Sequence, residues 1–106
     1  MPSALDLLRA AVVASGVTAA AAADAQEPAW LANLLRQDCG SCHGLTMRGG
    51  LGAPLLPERL AGKPDEALAG LILDGLPGTA MPPWRGILSE ADALWMVRQL
   101  KQGIGP

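Results

Sequence analysis

The chain contains no phenylalanine and no tyrosine, and its aromatic residues are three tryptophans. Large rings supply much of the buried area of a small core, so this composition leaves the interior short of bulk. Histidine occurs once, at position 43, and cysteine twice, at positions 39 and 42. Two cysteines cannot build a scaffold of several disulfides. Basic residues number only eight in 106 and none stands beside another; with ten acidic residues the net charge is −2. Phosphate binding needs a concentrated basic surface, so nucleic acid is excluded as the main partner. No strand pattern, internal repeat or low-complexity segment is visible beyond an alanine-rich leader. The length allows one small domain.

Half of the residues are apolar, and many of them lie in the first 25. Arg9 precedes a run from Ala10 to Ala23 made of Ala, Val, Gly, Ser and Thr. That run is too short and too weakly apolar to span a bilayer. Two small-x-small cleavage signals follow, Ala21-Ala22-Ala23 and Ala23-Asp24-Ala25. Residues 1–25 therefore read as a cleaved signal peptide, although Asp6 leaves the net charge of its first part weak, and residues 26–106 as one exported domain without a stable membrane anchor. The expected location is the periplasm. From Gln26 onward 81 residues remain, with seven basic and eight acidic side chains and a net charge of −1. A domain of that size has a marginal core and needs a disulfide, a metal or a cofactor.

Three helices are expected, separated by two long loops rich in glycine and proline. The first starts at Pro28, a favoured first-turn residue, and carries Leu31, Leu34, Leu35 and Asp38 at i, i+3, i+4 and i+7. The second opens at Pro64 with Asp65 and Glu66, places Leu68, Leu71 and Ile72 on one face, and stops at Gly75. The third has Ser89 as N-cap with Asp92 three residues on, a capping-box-like start. Ala93, Val97, Leu100 and Ile104 form its stripe, with Met96 beside it, Leu94 and Trp95 widening it, and Gly103 as the stop. The sequence also allows a short helical turn around Pro57–Ala61. Loops 44–56 and 75–88 are long for so small a domain, and such loops are usually functional.

The sharpest motif is Cys39-Gly40-Ser41-Cys42-His43. In an exported chain Cys-x-x-Cys-His is the attachment signal for haem c. Two thiols three residues apart at a helix end can each form a thioether to neighbouring vinyl groups of one porphyrin, and the next residue then presents its imidazole as the proximal ligand. A lone disulfide, a thioredoxin-like redox pair and half of a zinc site are the alternatives. The redox pair wants a βαβ context, the zinc site lacks a fourth Cys or His, and a disulfide leaves the short core unexplained. The sixth ligand is sought among Met47, Met81 and Met96, because Met1 leaves with the signal peptide. Met47 is four residues from His43 and poorly placed for the opposite haem face. Met96 lies on the apolar face of the third helix and reads as core. Met81, in Gly78-Thr79-Ala80-Met81-Pro82-Pro83-Trp84, sits in a loop that its prolines stiffen. A backbone carbonyl within Gly50-Leu51-Gly52-Ala53-Pro54 is the expected acceptor for the second ring nitrogen of His43. Arg59, Lys63, Trp84 and Arg85 are candidates to meet the haem propionates, with a solvated or packed side chain an equal reading for each.

These residues together resemble small, single-haem, class I-like bacterial cytochromes c over nearly the whole of residues 26–106. The shared pattern is a helix into Cys-x-x-Cys-His, a Gly-x-Gly-x-Pro-type loop at Gly50 to Pro54, a helix from Pro64 to Asp74, the Met81-Pro82-Pro83-Trp84 loop and a closing helix from Ser89. The resemblance implies an all-α, cytochrome c-like domain of three main helices with long loops around one haem c held through Cys39 and Cys42. It implies His43 and Met81 as axial ligands, the Pro54 carbonyl as the group holding His43, and a crossing of first and last helices near Trp95. Leu31 and Leu35 stand where many relatives have glycine and an aromatic, which implies a less close crossing. More narrowly, the stretches from Cys39 to Gly52 and from Pro77 to Trp84 are similar to the cytochromes c-55X, encoded beside the haem-d-containing nitrite reductase of denitrifying bacteria. That likeness implies a monomeric periplasmic electron carrier, not an enzyme, with redox protein partners: the nitrite reductase, or the enzymes that complete its haem d. A small net charge suggests weak steering and an apolar docking rim that includes Leu45, Ala53 and Ala80. A ligand-binding sensor or enzyme with an open sixth site is the other class of function. Against it, there is no second histidine and no carboxylate between Gly75 and Leu88.

Overall fold

The computed structural model describes residues 25–104; the expected signal segment, apart from Ala25, lies outside them. Helix α1 spans Pro28–Leu34, with Pro28 in the first turn where a missing N–H costs nothing. It runs through a π-helical turn, Leu35–Cys39, into α2, Gly40–His43. The Gly40 N–H reaches back to the Leu35 carbonyl, five residues away, which marks the extra residue that widens this turn. Helix α3 is one turn, Pro57–Leu60. Helix α4, Asp65–Asp74, has two acids at its positive end and stops at Gly75, whose φ of 70° suits a residue without Cβ. Helix α5, Glu90–Gln102, starts with a complete capping box: the Ser89 hydroxyl accepts from the Asp92 N–H, and the Asp92 carboxylate accepts from the Ser89 N–H. Among the described residues there is no strand, and no helix is long and apolar enough to cross a membrane. The three main helices and two long loops expected from the sequence are the observed architecture, with the short turn at Pro57 added.

The core is aliphatic. Leu31 and Leu34 of α1 and Leu35 of the π turn share one cluster with Ala93, Met96, Val97 and Leu100 of α5, Ala69 and Leu73 of α4, Leu60 of α3, and Leu88 and Met47 from the loops. Trp84 and Trp95 pack against this cluster only in part. The buried face of α4 is rotated from the expected one: Ala69 and Leu73 are buried, Leu68 and Ile72 are half-buried, and Leu71 is exposed. Small Ala69, not the larger Leu71, is the residue buried beside Leu73 on the face packed in the core, so bulk alone misplaced the stripe. Asp92, a polar member of the α5 pattern, is buried with it. Lys101 ties the end of α5 to α4 by pairing with Asp65 at 2.6 Å and donating to the Lys63 carbonyl.

Candidate haem-attachment site

Cys39, Cys42 and His43 lie at i, i+3 and i+4 on the last helical turns of the first segment, so they share one face. Gly40 is buried there because Leu45 folds over it; a Cβ would stand 3.3 Å from the Leu45 side chain. Both cysteines are free thiols, each half-buried. Burial pushes the Cys39 thiol up to about 11, with Asp38 and Cys42 adding in the same direction. The Ser41 hydroxyl donates to the Asp38 carbonyl at 2.7 Å and pins the turn between the cysteines.

The helix ends at Gly44, with φ 93°, and the following loop folds back over its open carbonyls. The Gly49 N–H donates to the His43 carbonyl and the Gly52 N–H to the Cys42 carbonyl, both at 2.8 Å. The approach is close enough to demand glycine. A Cβ on Gly52 would stand 2.8 Å from the His43 ring, and one on Gly50 would stand 2.8 Å from the Cys42 carbonyl oxygen. The His43 Nδ1–H donates to the Ala53 carbonyl at 2.7 Å. A carbonyl can only accept, so the neutral ring keeps its lone pair on Nε2, the nitrogen left to bind a metal. The acceptor is thus Ala53, one residue before the expected Pro54. Proline disfavours the helical conformation for the residue before it, here Ala53, and the Pro54 ring lies against Gly49, 3.2 Å from where a Cβ would stand.

Met81 belongs to the second loop, which is fastened to the end of α4. The Leu76 N–H donates to the Met81 carbonyl at 3.2 Å. Thr79 accepts from the Met81 N–H at 3.2 Å while its hydroxyl donates to the Leu76 carbonyl at 2.6 Å. The backbone of Met81–Pro83 passes so near Gly75 that a Cβ there would stand 2.8 Å from three of its atoms. The Trp84 and Arg85 N–H groups close the loop onto the Leu73 carbonyl. Of the three methionines in the described residues, Met47 and Met96 are buried in the aliphatic cluster at 3% and 0% exposure. Met81 alone is outside that cluster and half-buried. The Met47 backbone, at φ 61°, takes the left-handed conformation that its type rarely adopts.

The candidates for the propionates divide. Arg85 is engaged elsewhere, donating from Nε and Nη2 to the Asp74 carboxylate at 2.8 and 3.0 Å. Trp84 leans on the core. Lys63 and Arg59 have exposed side chains, and no contact occupies either among the described hydrogen bonds and ion pairs. The Arg85–Asp74 clasp was missed from the sequence; Asp74 as the last residue of a helix, eleven before an arginine, gives no local signal.

The donor set fits haem c. Two thiols with thioether spacing and an imidazole with a free Nε2 share a face. The apolar side chains of Leu45 and Leu51, 70% and 81% exposed, flank that helix end. Among the described residues no three of His, Cys, Asp and Glu cluster as a metal site, so the zinc alternative lacks donors.

Residues 26–98 match the family described as cytochrome c oxidase, cbb3-type, subunit III. The chain is 58% identical over 80 residues to cytochrome c55X of Pseudomonas aeruginosa, covering 76% of this chain and 67% of that one. A solved structure of the c-type cytochrome NirC superposes with a TM-score of 0.70 at 56% identity, over 74% of this chain and 93% of that one. A second, of the dihydro-heme d1 dehydrogenase NirN in complex with DHE, gives 0.62 at 38% identity. There the match covers 70% of this chain but only 16% of that one.

Proposed function

The chain belongs to the c-type cytochrome family, among relatives of cytochrome c55X, and from that premise we propose that it is a periplasmic one-electron carrier, with His43 and Met81 as axial ligands, serving a dissimilatory nitrite reductase system. It is an electron-transfer cytochrome rather than an enzyme, and its cofactor is one haem c attached through Cys39 and Cys42. When bound, that group supplies a one-electron iron couple. The chain's own residues decide how the couple is poised and shielded. The Ala53 carbonyl orients His43 and raises its basicity as a ligand. The clasp of Gly75, Leu76 and Thr79 on Met81 presents a thioether without the entropy loss of a free loop. The Met81 thioether would raise the potential of that couple, and together with the His43 imidazole it would leave no open place for a small ligand.

The observation that carries this reading is the division among the methionines: two are committed to the core and one is held in a stiff loop outside it. Residues 1–25 are taken as the cleaved export signal, which places Cys39 and Cys42 where haem c is attached. A second reading, electron acceptance during completion of haem d, is favoured by the likeness to one part of the dihydro-heme d1 dehydrogenase NirN. The test is rapid mixing of the reduced holoprotein with haem-d1 nitrite reductase and, separately, of the oxidised holoprotein with dihydro-heme d1 dehydrogenase and its substrate. Fast, saturable oxidation by the reductase supports the first role. Reduction only in the second mixture assigns the maturation role, and no exchange in either contradicts both.

A further inference from the structure

Asp92 is 2% exposed, yet among the described ion pairs the acids are Asp65, Asp74 and Glu90, never Asp92. Carboxylates are almost never withdrawn so far from water without a cation. The positive end of α5 supplies only a partial charge. The capping box uses one carboxylate oxygen, Oδ2, which accepts from the Ser89 N–H at 3.0 Å. The other, Oδ1, accepts from the backbone N–H of Gln26 at 2.9 Å, across 66 residues of sequence. Gln26 is the residue that follows the second cleavage signal, Ala23-Asp24-Ala25.

We propose that removal of residues 1–25 turns the Gln26 nitrogen into an ammonium that pairs with buried Asp92, so that the new N-terminus latches the first helix onto the capping box of α5. The inference rests on the export reading above. Hydrolysis balances simply: water adds across the Ala25–Gln26 amide, the C–N bond breaks, Ala25 leaves with the carboxylate, and the freed nitrogen takes up protons. A neutral amide donor thereby becomes a cation in place, without moving the chain. The latch lies at the entrance of α1, whose Leu31 and Leu34 join the buried side of α5 in one core and whose π-helical continuation carries Leu35 and Cys39. It also bears on the glutamine itself. An N-terminal glutamine cyclises when its unprotonated amine attacks its own side-chain amide and expels ammonia. An amine held as ammonium by Asp92 has no lone pair for that attack, so the mature chain keeps an open glutamine.

Intact mass of the exported holoprotein is read first. A chain starting at Gln26 with its full mass supports the proposal, and a mass lower by one ammonia overturns it. A start at Asp24 overturns the latch while leaving export standing, whereas a retained leader overturns both. A cycle then isolates the charge: one alanine inserted after Ala25 keeps the Gln26 N–H but removes its cation, in the native background and in Asp92→Asn. The insertion is expected to lower the thermal midpoint by about 4 °C or more in the native background, the order of shift for one such interaction in a domain this size, and not in Asp92→Asn. Equal effects in both backgrounds, or none in either, overturn the pairing. Should Asp92→Asn fail to fold, acylation of the terminal amine at neutral pH decides: it is expected to be several-fold slower in the native chain than in the alanine-extended one, and equal rates overturn the latch.

Discussion

The histidine ring that sequence alone singles out is held by an atom that sequence could only bracket. The acceptor for His43 was confined to five residues, Gly50 to Pro54, because a loop folding back over a helix end can offer any of its carbonyls; packing of Pro54 on Gly49 selects Ala53. Cys39, Cys42 and His43 were legible at once, since their chemistry lives in spacing. The Arg85–Asp74 clasp was not, since it depends on how the second loop returns to α4. It carries its own prediction. Arg85 hydrogen-bonds the Asp74 carboxylate and holds it below the usual carboxylate range. A depressed acid adds stability above its unfolded value, about 3.9, and loses it as pH falls through the lower folded value. Carboxyl NMR titration is expected to place Asp74 below the ordinary aspartate midpoint, and Arg85→Met to return it there. A midpoint unchanged by that substitution contradicts the clasp. For Met81, Met81→Ala is expected to lower the reduction potential and admit carbon monoxide to the iron; potentiometry showing no change would remove Met81 as a ligand.

At the scale of elements, caps and stops were easier to read than faces. Pro28, the Ser89–Asp92 box, Gly75 and Gly103 announce helix ends by local chemistry, and the ends fall where they announce. The face of α4 was misread because Leu68, Leu71 and Ile72 look more apolar than Ala69, the small residue that is buried. The π turn at Leu35–Cys39 leaves no trace in composition; its one extra residue shows only as the five-residue reach from Gly40 to Leu35. Gly75 joins α4 to the Met81 loop, and its φ of 70° together with three backbone atoms 2.8 Å from a would-be Cβ bars any side chain. Gly75→Ala is expected to cost about 1–3 kcal/mol in holoprotein stability from its positive-φ extended backbone alone, a region essentially reserved for glycine. It is also expected to loosen the sixth position, seen as partial carbon monoxide binding, with His43 and its Ala53 bond untouched. Full stability and no carbon monoxide response would show that the loop is not anchored at Gly75.

The whole molecule is a thin aliphatic core with two loops longer than its size justifies, as the missing rings foreshadowed. Leu31 and Leu35 are both buried where the first helix meets α5, filling with aliphatic bulk a crossing that the resemblance expected to be looser. A core with no fully buried aromatic depends on its cofactor. A Cys39→Ala, Cys42→Ala double variant that attaches no haem is therefore expected to lose most of its helical circular dichroism; native-like helicity in that variant would show that the polypeptide alone suffices to fold. Reading the fold from sequence succeeded because the motif, the helix caps and the deficit of bulk agree on one answer. The buried Asp92 escaped, because a capping residue looks solvent-facing until its second oxygen finds Gln26. The central claim is a haem c with both axial positions filled by His43 and Met81. It is tested most directly by the optical spectrum of the exported protein, oxidised, reduced, and reduced under carbon monoxide. The account predicts a sharp low-spin c-type spectrum that carbon monoxide leaves unmoved; a shift on adding carbon monoxide would contradict it.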